Sequence, residues 1–373
     1  MNIGIDARLL ERKITGIGRF LLLILNKLPQ VDGINKYFLF SYDSLKFRND
    51  FYVNISTINS KLPQKIFSPI WNNLILPFYL KKNKIDLFFS VNQIIPLVKI
   101  TNIKYISVVH DVIYKADKKF LPIIYRMYLQ LFAYLSIKSS DSIVTVSEYS
   151  KMDILKHYNI DEKKIKVIYA ASDNEFYPMN LSLEERQRVR NLYNLPEKII
   201  LYVGMIENRK NILGILSIAD QLLKKNKEIR FLIIGKIGYG GEKLLKEIQR
   251  RSNVIYLKSV SDLELKKIYN IATLFLFPSF YEGFGFPPLE AMQSGLPVLA
   301  SNNTSLKEII GSGGLLGEPK DYDFFVNNIL KLISDNDYYE LIRKQGIERA
   351  QKFDITNTVV KLVDTFNEFN RKN

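Results

Sequence analysis

The sequence predicts an α/β protein built from two doubly wound domains, and three observations predict it. Short apolar runs, rich in β-branched and aromatic residues, alternate along the chain with stretches of helical spacing. The runs are nearly continuous rather than apolar at every second residue, which marks parallel strands covered by helices on both faces. The series occurs twice in 373 residues, a length that suits two domains of ~100–200 residues each.

The first series places strands at Asn2–Ile5, Tyr37–Tyr42, Ile85–Ser90, Tyr105–Val109, Ser142–Val146 and Lys166–Tyr169, with helices at Gly18–Leu28 and Ile123–Ile137. The second places them at Ile199–Gly204, Arg230–Gly235, Val254–Leu257, Leu274–Phe277 and Pro297–Ala300, with helices at Asn211–Lys225 and Asp262–Ile271. The expected domains are residues 1–173 and 174–354, divided ahead of a charged helix at Leu183–Arg190. Helices at Asp337–Phe353 and Ile355–Phe369 follow with no strand after them. Open α/β sheets bind ligands beyond the carboxyl ends of their strands. With two such domains, the expected site is a cleft between them.

Cysteine is absent, which excludes a disulfide framework and thiolate metal sites and fits a reducing cytoplasm. No apolar stretch approaches the ~18 residues of a membrane span, and the first residues lack the pattern of a secretory signal. The expected location is therefore the cytoplasm. Net charge is +15, and residues 1–173 carry +11 of it. This excess has three readings: a nucleic-acid partner, the anionic face of a membrane, or lysine-rich solvated surfaces. No basic-aromatic nucleic-acid motif supports the first. The segment from Trp71 through Leu74 and Phe78 to Lys84, aromatic and apolar with lysines at its end, has the character of a membrane-surface stretch or of a buried helix with a charged end.

Chemistry concentrates in residues 277–297, FPSFYEGFGFPPLEAMQSGLP. The chain leaves a strand through Pro278, passes the glycine-punctuated loop Gly283, Phe284 and Gly285, and meets Pro287 and Pro288, which suit a helix first turn. Glu290 is expected in that turn and Gly295 closes the short helix. A helix N-terminus beside such a loop favours phosphate or growing negative charge. Glu282 and Glu290 flank it, and carboxylates accept well from pairs of sugar or ribose hydroxyls. Each glutamate alone also reads as a local cap or helix acid.

The whole string resembles the Glu-x7-Glu signature of glycosyltransferase family 4, the retaining GT-B enzymes, in its EGFG-x-PP-x-EAM form. The resemblance implies two Rossmann-like domains facing each other across a cleft. It implies that Glu282 contacts the donor sugar and Glu290 the nucleotide ribose. Arg209 and Lys210, at a helix start where bases oppose the macrodipole, resemble the family's diphosphate-binding segment. Many members carry arginine directly after the strand-end glycine, and Met205 stands there in this sequence. Gly16 and Gly18 resemble the family's first glycine-rich loop. His110, at a strand end before Asp111, resembles the histidine that approaches the donor sugar. The segments Gly235–Gly238 and Leu257–Ser261, with Val260, resemble loops that hold the base. The helix 355–373 is expected to cross back onto the first domain.

The implied reaction moves a hexose from a nucleoside-diphosphate sugar, with GDP-mannose as the suggested donor, to a glycan or lipid-linked glycan acceptor in surface polysaccharide synthesis. Retention is expected through same-face attack, with Glu282 holding the sugar and no metal required. The pairs Asp321/Asp323 and Asp335/Asp337 lie at helix starts and read as capping acids rather than metal ligands. An epimerase or phosphorylase on the same fold is the alternative.

Overall fold

A computed structural model describes residues 1–11, 16–57, 68–116, 120–172 and 175–370. They form two compact units. One holds the described residues of 1–118, 123–171 and 353–373; the other holds those of 119–122 and 172–352. The expected division between 173 and 174 lies outside the described residues.

Unit 1 contains a seven-stranded parallel sheet. Its strands are β1 (Asn2–Asp6), β2 (Lys36–Ser41), β3 (Tyr52–Ser56), β4 (Leu87–Ser90), β5 (Lys104–Val109), β6 (Ser142–Thr145) and β7 (Ile165–Val167), in the order β3-β2-β1-β4-β5-β6-β7. The central strands β1, β4 and β5 are buried along nearly their whole length because both faces are covered. Phe40, Trp71, Leu80, Phe88 and Tyr105 form the heart of one core. The helix Gly16–Val31 packs with the C-terminal helix Ile355–Asn367, whose Phe366 ring lies 5.2 Å from Phe89. Thr358 donates to the carbonyl of Tyr169 at 2.8 Å, tying the end of the chain to this unit.

Unit 2 contains a six-stranded parallel sheet of β8 (Ile199–Val203), β9 (Arg230–Ile234), β10 (Val254–Leu257), β11 (Leu274–Phe277), β12 (Val298–Ser301) and β13 (Leu315–Gly317), in the order β10-β9-β8-β11-β12-β13. Two of its helices begin with reciprocal capping boxes, Ser182 with Glu185 and Ser261 with Glu264. Asp321 and Asp335 accept from the backbone of Phe324 and Tyr338 at 3.0 and 2.9 Å, so both are N-caps.

Two strands escape the sequence reading. β3 is interrupted by Asn54 and sits at the sheet edge, where only Tyr52 is buried. β13 is three residues long, too short for any period to appear. Both sheets reverse direction at their middle, between β1 and β4 in one and between β8 and β11 in the other. At such a switch point the loops leaving two adjacent strands diverge and open a crevice.

Candidate active site

The switch point of unit 2 explains how distant residues meet. β8 and β11 are paired neighbours. The loop leaving β8 carries residues 204–211 and the loop leaving β11 carries residues 278–285. Phe280 N–H donates to the Arg209 carbonyl at 2.9 Å, stitching the two loops together. Asn211 fixes the first of them. It sits in the left-handed region at φ 56°, caps the helix Ile212–Lys225 through Gly214 N–H, and donates to the carbonyls of Pro278 and Pro319 at 3.0 and 2.7 Å.

Four charges converge there. Lys210 Nζ lies 2.5 Å from Glu282 Oε1, and Arg209 Nη1 lies 3.0 Å from Glu282 Oε2. Ser279 donates to Glu282 Oε1 at 2.7 Å. Arg209 also donates to the Tyr281 carbonyl at 2.7 Å and, through Nε and Nη2, to Glu207 Oε1 at 3.0 and 2.7 Å. Lys210 faces the Phe277 ring at 5.0 Å. Lys210 and Glu282 are 8% and 6% exposed, so the cluster is nearly dry and its members survive only as a paired set. Burial raises the Glu282 carboxyl, but Lys210, Arg209 and the Lys210 and Ser279 hydrogen bonds outweigh it and hold its pKa below the ordinary value. Burial also draws the Lys210 ammonium below its ordinary range, with Glu282 working against it. At 2.5 Å from a carboxylate shared with Arg209, the pair is ionised at neutral pH.

Gly285 turns the loop into the helix Phe286–Gln293 at φ 112°, where a Cβ would come within 2.8 Å of Leu306. The preceding backbone is held by Ser305, which donates to the carbonyls of Glu282 and Phe284 at 2.9 and 3.0 Å. Gly283, Phe284 and Gly285 thus form a buried, fixed turn ahead of the helix. One expectation needs correction. Glu290 lies beyond the first turn, because Gly285 is the N-cap and the helix starts one residue before the prolines. Its Oε2 accepts instead from Tyr269 on the helix Asp262–Ile271, at 3.0 Å.

The segments 235–238 and 257–261 leave β9 and β10, on the same edge of the sheet as the β8 loop. Val260 is half-buried between β10 and the Ser261 cap. Gly235 is required by packing, since a Cβ would meet the Gly204 carbonyl at 1.7 Å.

Gly16, Gly18 and His110 lie on unit 1. Gly16 opens the helix Gly16–Val31 and is exposed, while Gly18 is buried; Thr15 lies outside the described residues. The His110 ring meets Phe20 of that helix edge-on at 5.9 Å. Its Nε2 is 3.1 Å from the Val91 carbonyl, which can only accept, so Nε2 carries the proton and Nδ1 is left as the acceptor. Burial lowers the ring's pKa to about 4, against the Val91 bond that raises it, so the imidazole is neutral at physiological pH.

Comparison with known proteins places this geometry. The model for Glycosyl transferases group 1 matches residues 184–349, and that for Glycosyltransferase Family 4 matches residues 14–176. The chain belongs to glycosyltransferase family 4. It is 34% identical over 245 residues to O-antigen chain mannosyltransferase B of Escherichia coli, a match spanning 64% of each chain. It is 30% identical over 273 residues to the serotype-specific mannosyltransferase WbdA of Escherichia coli, covering 70% of this chain and 33% of that one. The chain thus matches under two thirds of the first relative and about a third of the second. The crystal structure of Anabaena HepE in complex with UDP-glucose superposes with a TM-score of 0.74 at 16% identity, covering 98% of this chain and 99% of that one, a likeness of the GT-B fold.

In this family member, three residues that sequence reasoning left aside bear on the site. Glu207 is the second carboxylate of the cluster. Its signal was its place two residues before Arg209 within one loop. Ser279 and Asn211 fix Glu282 and Lys210, and only the meeting of the two loops shows it. Among the described residues, no group of His, Cys, Asp and Glu is arranged to hold a metal ion.

Proposed function

We propose that this glycosyltransferase moves a hexosyl group, mannosyl by the names of its relatives, from a nucleoside-diphosphate sugar to a glycan or lipid-linked glycan acceptor, with retention and without a metal. GDP-mannose is the proposed donor. The observation that carries the reading is the buried pairing of Glu282 with Lys210 and Arg209 at the unit 2 switch point.

The cluster divides the work between its two cations. Arg209 spends Nε, Nη1 and Nη2 on Glu207, Tyr281 O and Glu282, so it braces the loop. Lys210 gives one of an ammonium's three N–H donors to Glu282 and has no other protein acceptor among the described residues. Lys210 is therefore the group that meets the donor diphosphate, beside the backbone at residues 283–285 and the helix N-terminus. Such preorganised charge is worth ~3–4 kcal/mol per well-placed donor in a transition state and substitutes for a metal.

In the proposed step the bond from the anomeric carbon to the diphosphate oxygen breaks and carries its electron pair to the leaving group. The acceptor oxygen bonds to the same face of that carbon, and its proton passes to the departing phosphate. Glu282 accepts from sugar hydroxyls and Glu290 from the ribose. The loops with Gly235 and Val260 hold the base. His110 serves the sugar through Nδ1, and the backbone at Gly16 and Gly18 serves the diphosphate.

The test is a panel of nucleotide sugars screened by thermal shift, followed by acceptor-dependent release of nucleoside diphosphate. Stabilisation by one mannosyl nucleotide and release only with acceptor support the reading. Interconversion of the donor sugar without an acceptor points instead to an epimerase.

A further inference from the structure

We propose that Thr304 is a positioning residue for the transfer: it fixes the main chain of Glu282, and through it the place where that carboxylate meets the donor sugar. This rests on Glu282 being the group that accepts from the sugar hydroxyls.

Glu282 is held from two sides because of its place in the sheet. β8, β11 and β12 are consecutive strands, and Glu282 lies on the loop leaving the middle one. The β8 loop holds the tip of the side chain through Lys210 and Arg209. The loop leaving β12, residues 302–305, holds the backbone. Glu282 N–H donates to Thr304 Oγ1 at 3.3 Å, and Ser305 Oγ donates to the Glu282 carbonyl at 2.9 Å. Two successive hydroxyls thus grip both polar groups of one residue's main chain. Asn303 orients the first of them. Its Nδ2 donates to the Phe280 carbonyl at 3.1 Å, which turns its Oδ1 toward Thr304. The Thr304 hydroxyl donates to that Oδ1 at 3.4 Å and keeps a lone pair for Glu282 N–H.

The backbone of Thr304 is strained. Its φ is 49°, and among the described non-glycine residues with positive φ it alone is β-branched. The left-handed region crowds Cβ against the next carbonyl, and a second branch at Cβ leaves little room to escape. Such strain persists only where the surroundings over-determine it, and it gathers at functional sites. The surroundings here are firm on both sides. Asn302 N–H donates to the Gly317 carbonyl of β13 at 2.7 Å. Ser305 is fully buried and also donates to the Phe284 carbonyl at 3.0 Å. The turn at Thr304 is the bend between these anchors and the helix Thr304–Ile310. A displacement of about 1 Å at a reacting group costs up to a hundredfold in rate, so a clamp on the Glu282 backbone bears directly on turnover.

The test compares Thr304→Val, which keeps the shape and loses the hydroxyl, with Thr304→Ser, which keeps the hydroxyl. Amide exchange is read first, because it needs no substrate. We expect the Glu282 amide to exchange roughly tenfold faster in Thr304→Val and near the wild-type rate in Thr304→Ser. Equal exchange in wild type and Thr304→Val overturns the proposal. Turnover is then read with GDP-mannose. We expect kcat to fall roughly tenfold in Thr304→Val with KM little changed, and Thr304→Ser to recover most of the loss. In a Glu282→Gln background, Thr304→Val should cost nothing further, because it acts through that carboxylate. A full additional loss there overturns the proposal. Turnover that survives Glu282→Gln sinks the reading of Glu282 itself. Turnover lost in Glu282→Gln but whole in Thr304→Val sinks only the role of Thr304. A wild type that does not turn over GDP-mannose sinks the donor assignment and leaves amide exchange to decide. If Thr304→Val fails to fold, Thr304→Gly replaces it, since glycine accepts the left-handed backbone and also lacks the hydroxyl.

Discussion

Lys210 and Glu282, separated by 72 residues, meet at 2.5 Å in a nearly dry pocket, and neither is stable there without the other. Their contact exists because β8 and β11 are neighbours whose loops open at the same point. Removing one partner leaves a buried charge, which costs about 3–5 kcal/mol. Glu282→Gln keeps the hydrogen-bond acceptor and removes the charge. We expect turnover to fall by at least about a hundredfold, while calorimetry shows nucleoside diphosphate still bound. Unchanged turnover removes Glu282 from the step.

Lys210→Ala separates phosphate contact from loop bracing. Affinity for the intact sugar nucleotide is expected to fall by roughly tenfold or more. Titration calorimetry showing equal affinity contradicts the assignment of Lys210 to the diphosphate.

Glu207 acts through Arg209. Glu207→Gln weakens two hydrogen bonds to a charged group and leaves Arg209 free to reorient Glu282, so kcat falls by about tenfold with KM little changed. A rise in KM alone means that Glu207 serves binding instead.

The His110 imidazole gives a pH signature. Its folded pKa, about 4, lies below the ordinary 6.5, so its stabilising contribution is complete above 6.5 and disappears as pH falls toward 4. The full effect is at most about 3 kcal/mol. Glu11, whose pKa burial raises to about 7, acts oppositely over much of this range. The measurement is therefore the difference between wild type and His110→Gln in urea unfolding from pH 7 to 4. A constant difference shows that the ring does not titrate as stated.

Asn211→Ala removes a cap, two side-chain bonds to buried carbonyls and a residue type that tolerates φ 56°. Its expected cost is roughly 3 kcal/mol, and Asn211→Gly should recover about 1 of it because glycine accepts that backbone. Equal losses in the two variants argue that backbone strain contributes nothing.

By itself the sequence determined the two series of parallel strands, since continuous apolar runs between helical stretches leave few other folds. It also determined the acidic motif, with Gly285 and the two prolines in their places, because turn and helix-start chemistry is written in adjacent residues. Only the tertiary structure decided which charges pair. Strand order, not spacing, brings the 204–211 and 278–285 loops together, and that order made Glu207 and Ser279 partners of the site. It also moved Glu290 to Tyr269 and drew Trp71 into the core. Burial is a property of the packed layers, so a helix whose large side chains point outward, such as Ile123–Ser139, reads in sequence like one whose side chains point in.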